Sequence, residues 1–108
     1  MNKTKKLKMY IVLRCDLSPA AAVVAASHAS LGTYLTFLDN PLMQEWQKTS
    51  FVKCILKARS YEEFQFLKTL KPNRVFTESC LDNLEVSIGF DISKQIHPLL
   101  EELPLWSV

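Results

Sequence analysis

His28 is the side chain in this sequence best suited to moving protons, and Asp16, Glu78 and Asp82 are the carboxylates that could serve it. An imidazole titrates near neutral pH, so it can take a proton from water and give it back. A carboxylate beside it would fix its tautomer or hold a substrate hydroxyl. Asp16 follows the first apolar run, and Glu78 and Asp82 sit in a segment expected near the same edge of the fold. Each also has a plainer reading. His28 fits a packed histidine on a helix, Asp16 a helix cap or a partner for a nearby cation, and Glu78 and Asp82 solvated loop carboxylates. Ser27 adjoins His28 but would point about 100° away on a helix, so the two make a poor nucleophile–base pair.

Cations form a second set. Arg14, Lys53, Lys57 and Arg59 are candidate phosphate contacts, and alternation along a strand would put Lys53, Lys57 and Arg59 on one face. The same regularity suits a solvated surface. His97 has no motif around it. Cys15, Cys54 and Cys80 show no CxxC spacing, and no close-spaced Cys/His set suggests a metal site, so neither metal nor cofactor is expected.

The elements that must position these residues follow from pattern. Residues 9–15 form a continuous apolar run rich in β-branched and aromatic side chains, which predicts a strand buried on both faces. Ser18-Pro19 is a helix start, with a hydroxyl cap and then proline where its missing N–H costs nothing. The alanine-rich helix runs from residue 20 to about 38. Asn40 caps a short helix through Gln47. Residues 51–58 are a second strand, and Ser60-Tyr61-Glu62-Glu63 opens a third helix in a capping-box pattern. Short strands over 74–77 and 84–90 follow, joined by few enough residues to favour antiparallel pairing. Ile96, Leu99, Leu100 and Leu103 predict a terminal helix over 93–103, with Pro98 falling late enough to kink it. The order β-α-α-β-α-β-β-α predicts an α/β fold, a single four-stranded mixed sheet with helices on both faces.

A chain of 108 residues with 48% hydrophobic and 22% charged residues is enough for one packed domain and too apolar for a disordered one. The reading divides it into a basic N-terminal tail, residues 1–8, and one α/β domain, residues 9–108. The net charge of +2 does not by itself imply nucleic acid. An odd number of unpaired cysteines, no signal-peptide pattern and no apolar run of transmembrane length point to a cytoplasmic protein with no membrane partner.

The chain resembles the archaeal-type (class II) peptidyl-tRNA hydrolase family. Members open with a strand ending Arg-x-Asp-Leu, which is similar to Arg14-Cys15-Asp16-Leu17. Their first helix carries Ala-Ala-Gln-x-x-His-Ala and then Gly, which resembles Val24-Ala25-Ala26-Ser27-His28-Ala29 and Gly32. Glu45-Trp46-Gln47-Lys48, the basic strand Val52 to Lys57, Ser60-Tyr61-Glu62-Glu63 and Ser87-Ile88-Gly89 match further segments in order, over roughly residues 8–103. The resemblance implies hydrolysis of the ester between peptide and tRNA, with His28 as base, Asp16 as its orienter, tRNA as partner and a homodimer. The departures fall on the chemistry. The turn after Asp16-Leu17 is shorter and lacks the family's lysine, and Ala25 stands where the family has glutamine. Thr77 to Asp82 replaces Asp-Ala-Gly-Arg-Thr, so Glu78 or Asp82 would stand for its aspartate and Thr77 or Ser79 for its threonine. Two functions are therefore carried forward. One is the hydrolase. The other is a catalytically inactive family member serving as a nucleotide-, RNA- or protein-binding regulatory module.

Overall fold

A computed structural model describes residues 6–107. Strand β1 (Lys8–Leu13) leads into helix α1 (Pro19–Thr36), then α2 (Pro41–Lys48), β2 (Val52–Lys57), α3 (Tyr61–Leu67), β3 (Asn73–Glu78), a single 3-10 turn at Ser79–Leu81, β4 (Leu84–Phe90) and α4 (Pro98–Glu102). The strands form one mixed sheet in the order β2-β1-β4-β3. β1 and β2 are parallel, while β4 runs antiparallel to both β1 and β3. This is the expected α/β architecture.

Each face of the sheet buries its own apolar layer. Alternation sends Met9, Ile11 and Leu13 to α1 and α2, where they pack on Ala22, Ala25, Ala29, Met43 and Trp46. Tyr10 and Val12 point the other way, onto Phe64 and Leu67 of α3 and Leu100 and Leu103 beyond it. Helices therefore cover both faces. That is why β1, between them, is apolar along its length rather than at alternate positions.

The helix starts behave as their sequences require. Ser18 Oγ accepts from Ala21 N–H with Pro19 in the first turn, Asn40 Oδ1 accepts from Leu42 N–H, and Ser60 Oγ accepts from Glu63 N–H. Several boundaries differ from expectation, and three of the differences bear on the site and the last helix. β1 stops at Leu13, because Arg14 leaves the ladder after its N–H reaches Val86 O at 3.0 Å. α1 ends at Thr36 rather than near 38. The terminal helix spans only Pro98–Glu102. Proline starts that helix instead of kinking it: His97 caps it through Nδ1, and Ser93 Oγ accepts from Gln95 N–H in a turn that precludes helix over 93–97. Ile96 still reaches the core, but from that turn.

Of the expected tail, Leu7 packs on the core and Lys8 opens β1. Lys3 and Lys5 lie outside the described residues.

Candidate active site

α1 can lie close to β4 and β3 because its inner face is small. Ala22, Ala25 and Ala29 are buried, and Ser87 Oγ donates to Ala25 O at 3.0 Å. At Gly89 a Cβ would overlap Thr33 Oγ1, and at Gly32 one would run into the Phe76 ring. These two glycines fix how near the helix comes.

That approach brings two periodicities into step. Four residues of helix rise about 6 Å, and two residues of strand about 6.6 Å. His28, Gly32 and Thr36 therefore descend α1 as Glu78, Phe76 and Arg74 ascend β3. Thr36 Oγ1 accepts from Arg74 Nη1 at 2.7 Å, Phe76 fills the notch at Gly32, and His28 Nε2 meets Glu78 Oε1 at 2.8 Å.

Glu78 is well shielded, with 13% of its side chain exposed, whereas His28 is 44% exposed. The second Glu78 oxygen accepts from Cys80 N–H at 2.9 Å. That amide first, and His28 second, hold the Glu78 carboxyl below the usual carboxylate range. An ionised carboxylate only accepts, so Nε2 carries the hydrogen toward it. Nδ1 is then the basic nitrogen, on a ring that solvent reaches. The arrangement is an imidazole held by a carboxylate, with its other side open to solvent.

The family model for peptidyl-tRNA hydrolase PTH2 matches residues 7–99. The chain belongs to the PTH2 peptidyl-tRNA hydrolase family. No curated protein matches the sequence.

Within this PTH2 chain the remaining candidates divide. Asp16, expected to orient His28, instead accepts from Arg14 Nε at 2.8 Å and is 62% exposed. Because β1 ends at Leu13, Arg14 and Asp16 fall into one turn, where a spacing of two lets them pair. The carboxylate that meets His28 is Glu78, far away in sequence. Asp82 has left-handed backbone (φ 54°), as does Asn83 (φ 59°), and Asn83 N–H closes the turn on Glu78 O at 2.9 Å. Asp and Asn tolerate that conformation, so the turn accounts for Asp82. Thr77 and Ser79 flank Glu78, and Thr77 is exposed.

Of the cations, Lys53 lies over the Phe51 ring at 3.4 Å and Lys57 over Trp106 at 6.0 Å, both on β2 and on the α1 side of the sheet with Ile55. Arg14 lies over Tyr61 at 5.2 Å. Arg59 does not join Lys53 and Lys57. The strand has ended, and its guanidinium binds Glu63 at 2.6 Å and Glu102 at 3.1 Å, tying α3 to α4 in the opposite layer. Those carboxylates raise its already high pKa further and neutralise its charge. Lys53 and Lys57 stand three strand spacings from β3, about 14 Å across the sheet from the His28–Glu78 side.

Sequence reasoning missed Arg74. Its signal was present: residues 74, 76 and 78 of a strand match 36, 32 and 28 of a helix once the two are known to be antiparallel neighbours. Among the described residues, no group of three or more His, Cys, Asp or Glu is arranged to hold a metal ion, and no helix is long and apolar enough to cross a membrane.

Proposed function

We propose that this protein hydrolyses the ester joining peptide to tRNA, with His28 as general base and Glu78 as the residue that positions it. The observation that carries this reading is the 2.8 Å contact between His28 Nε2 and Glu78 Oε1. It supplies a fixed tautomer in a chain whose turn lysine and glutamine are missing.

Nδ1 takes a proton from water as the water oxygen bonds to the ester carbonyl carbon. The tetrahedral intermediate collapses, the carbon–oxygen bond to the ribose breaks, and the imidazolium returns its proton to the leaving oxygen. Glu78, already ionised, stabilises the imidazolium between the two transfers. An ester has a good enough leaving group that no covalent nucleophile is required.

Lys53, Lys57 and Arg14 would meet the phosphates of the tRNA, each held against an aromatic ring that limits its conformations. We take the working protein as a cytoplasmic homodimer. Leu31, Leu35 and Leu38 form an exposed row on and just beyond α1 whose four- and three-residue spacing suits a second copy of the helix.

The test is cleavage of a peptidyl-tRNA by wild type and by His28→Ala. We expect the substitution to cost about 10²–10⁴-fold in rate, the usual worth of a positioned base, with the melting temperature unchanged. No cleavage by folded wild type would sink the hydrolase reading and leave the RNA- or protein-binding module.

A further inference from the structure

β3 is an outside strand, and its outer edge leads to the reacting groups. Arg14 N–H donates to Val86 O at 3.0 Å, and Asp91 N–H to Pro72 O at 3.2 Å. In an antiparallel ladder, alternate residues bond to opposite neighbours. Val86 and Ile88 therefore bond toward β1, and Ser87, Gly89 and Asp91 toward β3. Phe76 and Arg74, opposite Ser87 and Gly89, turn their backbone groups inward. Val75 lies between them, so its N–H and C=O point out of the sheet. No strand of the described residues pairs on that side. Arg74 and Thr77 are exposed, so the edge is reachable.

From Val75 to Glu78 is three residues, about 10 Å of strand. At its far end Glu78 holds His28 at 2.8 Å. An edge strand can receive an extended peptide through main-chain bonds that ignore side-chain identity. Such bonds suit a substrate class defined only by having a peptide backbone.

We propose that β3 docks the peptide part of a peptidyl ester as an added parallel strand, with Val75 N–H and C=O making the main-chain contacts. The direction follows from the chemistry. The esterified carboxyl end must lie at His28, beside the C-terminal end of β3, so the peptide runs the same way as β3. Val75 is then met by the residue about three positions before the ester. A single acylated amino acid falls short of it, and four residues reach it. The strand is only six residues long and has a register shift between Phe76 and Thr77, features that blunt an edge against self-association while leaving room for a short ligand.

This rests on the hydrolase reading, so the experiment separates the two. Cleavage of acetyl-alanyl-tRNA and acetyl-tetraalanyl-tRNA is compared, together with the tetraalanyl substrate N-methylated at its second alanine. Two main-chain bonds predict a KM about tenfold lower for the longer substrate. N-methylation should abolish that advantage, and so should Val75→Pro, which edge strands tolerate when the lost N–H faces outward. KM for acetyl-alanyl-tRNA should not move. Equal KM for both lengths, or an N-methylated substrate that keeps the advantage, would overturn the proposal, and the modified substrate decides even if Val75→Pro fails to fold. Independently of turnover, acetyl-tetraalanine amide is titrated into 15N-labelled protein. A shift of the Val75 amide supports docking. Two bonds worth a factor of about ten make the free peptide a weak ligand, so the titration runs to about 0.1 M. No shift there at that concentration overturns docking, whether or not the protein cleaves anything.

Discussion

β2 and β3 are both six-residue strands on the outside of the same sheet, but among the described residues only β2 has its outer side bonded by the chain itself. Lys57 N–H donates to Pro104 O at 2.9 Å, Trp106 N–H donates to Ile55 O at 2.9 Å, and Leu105 bridges to Leu56. Behind that cap, Arg59 clamps Glu63 and Glu102. At β3 the side chains on the α1 face are tied to the helix by His28–Glu78 and Thr36–Arg74, while no strand of the described residues pairs with its main-chain edge. An unpaired edge invites association and is normally covered or blunted. Closing one edge and leaving the other beside the His28–Glu78 pair is the arrangement expected if the open edge receives a ligand.

The sharpest way to break this contrast is to move α1. Gly89→Ala would push a methyl into Thr33 Oγ1, so we expect a loss of about 2–3 kcal/mol in unfolding free energy. It should also separate His28 from Glu78 while leaving the β2 cap intact. Chemical denaturation measures the first effect. Amide exchange measures the second, with protection lost in β3 and kept in β2. Adding Thr33→Ala removes the Oγ1 overlap but leaves the Thr33 Cβ 2.9 Å from the new methyl, so it should recover part of both losses, and no recovery at all would refute the fitted contact.

A smaller effect is expected at the other edge. Truncation after Leu103 removes two main-chain hydrogen bonds and the Trp106 packing, for about 2 kcal/mol. The melting temperature should fall by several degrees, and the bared β2 should promote self-association, measurable by sedimentation. Cleavage at His28 should survive at temperatures where the truncated protein is folded. If truncation abolished cleavage in folded protein, the two edges would not be independent.

The smallest effect is the response to acid, and it labels each edge separately. Arg59 holds Glu63 low on the closed side, and Cys80 N–H and His28 hold Glu78 low on the open side. A depressed carboxyl stabilises the fold above its unfolded pKa, about 4.3 for glutamate, and that stability is lost as pH falls through the lower folded value. Stability should therefore decline below about pH 4.3. Glu63→Gln and Glu78→Gln should each flatten part of that decline, and thermal melts across roughly pH 2–6 would show it. A decline unchanged in both variants would mean that neither pair is felt.

Local order determines much of what was legible in the sequence. The continuous apolar run of β1 specifies a strand buried on both faces, and Ser18-Pro19, Asn40 and Ser60 specify helix starts through side chains only two or three residues from the groups they cap. These signals are short-range, so neighbours in sequence suffice to read them. His28 stood out by type alone. The apolar spacing of Ile96, Leu99 and Leu103 suggested a longer last helix than exists, because a turn delivers Ile96 to the same core that a helix would have served.

The choice of carboxylate belongs to the tertiary structure. Asp16 and Glu78 have the same chemistry, and Asp16 is nearer His28 in sequence. Yet Asp16 is taken by Arg14 two residues away, while Glu78 arrives from the far strand because Gly32 and Gly89 let α1 settle onto β3 and β4. His28 and its partner lie 50 positions apart, and no periodicity in either segment reports that they are neighbours. That pairing, like the open side of β3, depends on the order in which the strands assemble, which long-range packing decides.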